Sequence, residues 1–190
     1  MSISSALRKL RLQRSSLQYM EEFYLQIDAE QNHRGAAILA AVLVNDALES
    51  ALCRRLPNPT NYFTRLFDNE GPLSTLDAKI LMAQCFGIIG SLTQRNLETV
   101  KHVRNTFAHA GVPIDFSTKE IVDACNTLLL PPRPETFREY LPFDTARQKY
   151  TSICETTALA LMKYAAGCGK VRASLMRPDA MVPVTPAPLP

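Results

Sequence analysis

The sequence lacks most of the motifs that mark a defined chemistry. Its 190 residues include five cysteines, but no two form a Cys-x-x-Cys pair and no Cys/His cluster has zinc-ligand spacing. It has no Gly-x-x-x-x-Gly-Lys phosphate loop and no local signature of a serine or cysteine nucleophile. We therefore predict neither a metal nor a cofactor, and we expect that the protein is not an enzyme.

Long apolar segments are also scarce. The longest apolar run, 36–44, is about half the length needed to span a bilayer, so it predicts a buried helix. The first 18 residues are basic but lack the apolar core of a signal peptide. Scattered cysteines without a leader predict reduced thiols and a cytoplasmic protein without a membrane partner. The net charge of +3 does not by itself indicate nucleic-acid binding.

What the chain does have is helical periodicity. Apolar residues recur every three to four positions, and no segment alternates like a β-strand, which predicts an all-α, single-domain bundle of about six to eight helices. Three parts are expected: an N-terminal helical arm packed on the core (1–30), the main helical domain (31–170) and a proline-rich flexible tail (171–190). Local signals predict a capping box at 117–120 opening a helix through Leu130, and a last helix capped by Asp144 and ended by Gly167.

The segment 104–109 concentrates reactive side chains near a predicted helix end. Arg104, Asn105 and His109 can hold a phosphate, orient a hydroxyl and move a proton near neutral pH. Alternatively, they form a structural cluster in which Arg104 is buried against Asp46 or Glu49. In the first case they form a phosphate and ribose site in which His109 acts as general base or acid and Arg104 stabilises charge on phosphorus. In the second case they stabilise the fold.

A second candidate region follows the turn at Gly71 and Pro72. Asp77 and Lys79 come shortly after it, at the start of a predicted helix that Ser74 or Thr75 can cap. The four residues Gly71, Pro72, Asp77 and Lys79 are a candidate surface for a partner. The alternative is that this is only a capped helix start, with Asp77 placed favourably for the helix dipole.

Two family resemblances bear on function. Arg104, Asn105 and His109 resemble the Arg-x4-6-His motif of the HEPN families, all-helical domains that include metal-independent ribonucleases, in which a dimer brings two motifs together. The region from about 34 to 130 resembles the mannitol operon repressor family over more of the chain. The matching pieces are Arg34-Gly-Ala-Ala-Ile-Leu-Ala-Ala, Asn45-Asp46, Leu48-Glu49, Gly71-Pro-Leu-Ser-Thr-Leu-Asp-Ala-Lys79-Ile, Gly87-Ile-Ile, Val103-Arg-Asn-Thr-Phe-Ala-His109, Phe116 and Cys125.

The second resemblance implies a transcriptional regulator of repressor type for carbohydrate-uptake genes. That family lacks an evident helix-turn-helix, so the resemblance implies action through a protein partner, which can itself be a DNA-binding regulator. A homodimer is a further alternative. The HEPN resemblance implies the alternative, a metal-independent ribonuclease or RNA-binding module. A helical partner-binding protein unrelated to transcription is a third interpretation.

Overall fold

The protein is described here from a computed structural model, which defines residues 19–30, 32–56, 59–68, 70–129 and 144–167. These residues form seven α-helices and no β-strand, which confirms the all-α prediction. In chain order the helices are α1 (Met20–Ala29), α2 (His33–Cys53), α3 (Pro59–Phe67), α4 (Leu76–Cys85), α5 (Ser91–His109), α6 (Lys119–Asn126) and α7 (Ala146–Ala165).

Helix α2 is the central element, and it packs against α1, α4, α5 and α7. It begins after Asn32, whose side chain accepts a hydrogen bond from the Arg34 amide. By length and composition α2 could cross a membrane, but 67% of its most apolar window is buried inside the fold. Its many buried alanines favour the helix and let neighbouring helices approach closely. The apolar run therefore forms the core of the bundle.

Tyr150 of α7 joins three helices at the centre. Its hydroxyl donates to the carbonyl of Ala37 on α2 at 3.0 Å and lies 3.4 Å from the carbonyl of Val100 on α5. Burial raises the pKa of Tyr150 well above its ordinary value, so the phenol keeps its proton and remains a donor. Phe116 stacks on this ring and on Phe107, with centroid distances of 5.5 and 4.8 Å.

Helix α1 contacts α2 and α7, burying Met20 and Ile27. Arg147 of α7 donates to the carbonyls of Ile27 (3.0 Å) and Glu30, which places a cation at the C-terminal end of α1. This is the described portion of the predicted N-terminal arm. Residues 1–18 and the predicted tail 171–190 lie outside the described residues.

Two predicted helix starts are wrong in detail. Ser117–Glu120 do not form a capping box: α6 begins after Thr118, which makes no side-chain cap, and the Asp115 carboxylate instead accepts from the Ser117 amide at 2.8 Å. The α6 helix also ends at Asn126 rather than continuing to 130.

At α7 the cap is Thr145 rather than Asp144. The Thr145 side chain accepts from the Gln148 amide, and the Gln148 side-chain oxygen accepts from the Thr145 amide, which together form a capping box. The cap therefore lies one residue later than predicted. The helix ends at Ala165, close to the predicted end. Gly167 follows in the left-handed region, with φ of +87°, which a residue without Cβ adopts readily.

Candidate functional site

A cavity of about 410 Å³ opens between α2, the start of α4 and the second half of α5. It brings two separately predicted regions together, because Arg104 and Asn105 share it with Asp77. Its lining residues are Ala41, Val42, Asn45, Ser74, Thr75, Leu76, Asp77, Lys101, Arg104 and Asn105.

Helix α5 supplies the cations of this cavity. Its apolar stripe, which includes Val100, Val103 and Phe107, is buried and fixes the rotation of the helix. Lys101, Arg104 and Asn105 are spaced by three and four positions, so they project from one side of α5. Sequence reasoning missed Lys101, although its spacing from Arg104 was a signal that could have revealed it.

Arg104 is partly buried. Its Nη1 donates to the Asn105 side-chain oxygen at 2.9 Å. Glu49 pairs with Lys79 at 2.6 Å. Asp46 is buried, 8% exposed, and its Oδ1 accepts from the Asn45 side-chain Nδ2 at 3.4 Å. The predicted cluster is therefore divided: Arg104 and Asn105 line the cavity, whereas the two acids are buried in the interior.

The Lys79–Glu49 pair is fully enclosed. Both side chains are 2% exposed, and the Lys79 ammonium also donates to the Asn45 oxygen at 3.0 Å. The ammonium lies 5.7 Å from the centre of the Phe67 ring, a cation–π distance. Lys79 was predicted to belong to a partner surface, and that prediction is wrong because the residue is buried.

The start of α4 presents Asp77 on the opposite side of the helix. Thr75 caps the helix by accepting from the Ala78 amide at 3.1 Å. Asp77, in the first turn, forms an ion pair with Lys101 at the cavity rim, where the two side chains are 69% and 19% exposed. Asp77 thus lies on the surface and also belongs to the cavity.

Gly71 has a structural reason for being a glycine. A Cβ at this position would lie 2.5 Å from the Leu66 carbonyl oxygen and 2.6 Å from that of Arg65, at the end of α3. These atoms are backbone and cannot move aside cheaply. Gly71 therefore permits the loop to close on α3, while the neighbouring Pro72 is exposed.

His109 does not line the cavity. It is the last residue of α5, is exposed, and follows Arg104 by five positions, which is about 140° around the helix axis. A single chain therefore places Arg104 and Asn105 together without His109. Among the described residues, no three His, Cys, Asp or Glu side chains converge as metal ligands would.

Glu155 is a second unusual acid, on α7 beneath α1. Burial, reinforced by the charge of Asp28, raises the pKa of Glu155 to about 7. Its Oε1 is buried and has no hydrogen-bond partner among the described residues. Burial and the Glu155 charge also raise the pKa of Tyr24, whose hydroxyl donates to the Glu155 backbone carbonyl at 3.1 Å.

The described residues form an all-helical fold with a cavity that is open to solvent and lined by both polar and apolar side chains. The fold is MtlR-like: it is similar to a chain in the X-ray structure of the MtlR–HPr complex from Escherichia coli, with a TM-score of 0.53 and 20% identity. The similarity covers 81% of this chain and 98% of the other. No protein-family profile and no curated protein sequence matches the chain. At this identity the similarity shows the fold.

Proposed function

We propose that this protein is a regulator that acts by binding another protein, and that it controls carbohydrate-uptake genes as a repressor-type regulator. The observation that carries the proposal is the fold similarity to the MtlR–HPr complex, which spans nearly the whole of the matched chain. The partner that we propose is a protein of the HPr type. A regulator with this partner would work in the cytoplasm.

One exposed surface next to the cavity suits a protein partner. It consists of Pro72, Asp77 and Leu81, and we call it the loop–α4 surface. Leu81 is 57% exposed, although it is a large apolar side chain, and Asp77 adds a charge one turn before it. An apolar residue with a polar rim is typical of protein interfaces. This surface keeps Pro72 and Asp77 of the predicted partner region, adds Leu81, and leaves out Lys79 and Gly71.

The test is a calorimetric titration of the full chain with purified E. coli HPr. We expect a Kd of about 1–10 μM, as for transient signalling contacts. Leu81→Asp should weaken binding by roughly tenfold or more, since it places a charge in the centre of the contact. Leu25→Asp is the matched control, because Leu25 is a 63% exposed leucine on α1, away from the loop–α4 surface.

Absence of binding at about 100 μM HPr would contradict the HPr-type partner. Equal weakening by the two leucine variants would contradict the loop–α4 surface but not the partner.

RNA cleavage remains the alternative, supported by Arg104 and Asn105 sharing one cavity. It requires a second chain to bring a histidine to that cavity, because the chain's own His109 lies elsewhere. Incubation with RNA in EDTA separates the two functions: a ribonuclease of this type should cleave without metal and lose cleavage in His109→Ala. Cleavage that persists in His109→Ala would contradict this mechanism.

A further inference from the structure

We propose that the cavity between α2, α4 and α5 binds a small phosphate ester of a polyhydroxylated molecule. The proposal concerns a ligand site and does not depend on the identity of the protein partner. The cavity volume of about 410 Å³ falls within the range of small-molecule sites, about 300–1,000 Å³.

The first argument is the pair of cations on α5. Lys101 pairs with the carboxylate of Asp77, which shows that its ammonium is placed to contact an oxyanion in the cavity. The two cations, Lys101 and Arg104, exceed in number the one carboxylate in the described lining of the cavity. Arg104 is half-buried, and its acceptor among the described residues is a neutral carboxamide, that of Asn105. A guanidinium has five N–H donors in a planar fork that matches two phosphate oxygens. Arg104 therefore keeps donors for a phosphate group.

The second argument is the orientation of the two asparagine amides. Lys79 can only donate, so the Asn45 oxygen must face its ammonium, and the Asn45 Nδ2, which lies 3.4 Å from Asp46 Oδ1, has one N–H beyond that contact. Arg104 likewise fixes the Asn105 oxygen, which leaves the Asn105 nitrogen as the group for a ligand. Each side-chain amide therefore has at least one N–H donor that a ligand can use. A cavity so rich in donors suits a ligand rich in acceptors, and a phosphate dianion has only acceptors.

The third argument concerns the remainder of the ligand. Ser74 and Thr75 contribute hydroxyls at the rim, and the Asp77 carboxylate can accept from ligand hydroxyl groups. Together they suit a molecule that carries several hydroxyls beside its phosphate. None of the described residues that line the cavity is aromatic, so it offers no ring on which a nucleobase could stack. The chemistry favours a sugar or polyol phosphate over a nucleotide.

The experiment is a calorimetric titration of the full chain at constant ionic strength with four probes: glucose 6-phosphate, inorganic phosphate, glucose and AMP. We expect glucose 6-phosphate to bind at least about tenfold more tightly than each of the others. Arg104→Gln and Lys101→Gln should each weaken that binding by roughly tenfold or more, since each removes a charge-assisted contact. Lys119→Gln is the matched control, because it removes one positive charge from an exposed pair on α6.

Circular dichroism checks that each variant folds. If Arg104→Gln does not fold, Lys101→Gln still tests the site, because Lys101 pairs with the exposed Asp77 at the cavity rim. No heat from any probe at about 10 mM would overturn the proposal. So would equal affinities for glucose 6-phosphate and inorganic phosphate, or tighter binding of AMP. An equal loss in Lys119→Gln would show general charge attraction and would overturn the site. Binding of HPr is measured separately, so the two proposals succeed or fail independently.

Discussion

Two ion pairs that begin on the same helix have opposite environments. Asp77 and Lys79 are two positions apart on α4, so they project to opposite sides of it. Lys79 pairs with Glu49 in the interior, where both side chains are 2% exposed, whereas Asp77 pairs with Lys101 at the cavity rim, at 69% and 19% exposure. The buried pair of Lys79 and Glu49 therefore stabilises the fold, whereas the rim pair of Asp77 and Lys101 is accessible to a ligand.

Breaking the sealed pair should have the largest effect on stability. Lys79→Met leaves the Glu49 carboxylate buried without its cation, and we expect the free energy of unfolding to fall by about 3–5 kcal/mol. Urea denaturation followed by circular dichroism measures this loss. Adding Glu49→Gln should recover part of the loss, because the buried charge is then removed.

The control for this pair is Lys119→Met, which removes the cation of an exposed i,i+4 pair with Asp123. It should change the free energy of unfolding by about 0.5 kcal/mol or less. A loss in Lys79→Met as small as in this control would mean that the sealed pair contributes no more than a surface pair.

Glu155 sharpens the comparison, because it is a partly buried acid whose Oε1 has no hydrogen-bond partner among the described residues, whereas Glu49 pairs with Lys79. Its pKa is about 7 in the folded chain against an ordinary value of 4.5, so the folded state binds this proton more tightly than the unfolded state. Stability should therefore be highest below the ordinary pKa and fall as the pH rises from about 4.5 to 7, by about 3 kcal/mol.

The test is the difference in unfolding free energy between the parent protein and Glu155→Gln at about pH 5 and pH 8. In Glu155→Gln the unfolding free energy should fall less between these two pH values than in the parent protein. In Glu120→Gln, which changes an exposed acid on α6, it should fall as much as in the parent. An identical pH dependence in the parent and in Glu155→Gln would contradict the raised pKa.

The open pair should matter least for stability. Asp77→Asn removes the carboxylate from Lys101 and from the first turn of α4, and we expect a loss of about 1 kcal/mol or less. Thermal unfolding in low and high salt measures it, and the difference from the parent should shrink as salt screens the pair. A loss comparable to that of Lys79→Met would mean that the two pairs are energetically alike.

The class of fold was predictable from the sequence because helical spacing is a local property. The apolar run 36–44 predicted a buried helix, and most of this run is buried in α2, the central helix, although Val42 is 38% exposed. Capping was less predictable, since Asp144 and Thr145 are both good caps and the register of α7 decides between them. The packing of the whole bundle sets that register.

The site was predictable in parts but not as an assembly. Arg104, Asn105 and Asp77 each stood out by residue type, yet only tertiary packing brings them into one cavity. The burial of Lys79 could not be foreseen because α4 is apolar on most of its faces, so no stripe reveals which side turns inward. A lysine on such a helix looks exposed until its buried acid on α2 is known.

The close approach of Gly71 to the end of α3 has a consequence for how divergent sequences are compared. A glycine that is required by two backbone oxygens persists for steric reasons, whatever the neighbouring loop binds. Gly71 therefore serves as an alignment anchor for this loop and carries little information about ligand or partner. Differences that track specificity should be sought at Asp77, Lys101 and Arg104, where no such steric constraint fixes the residue.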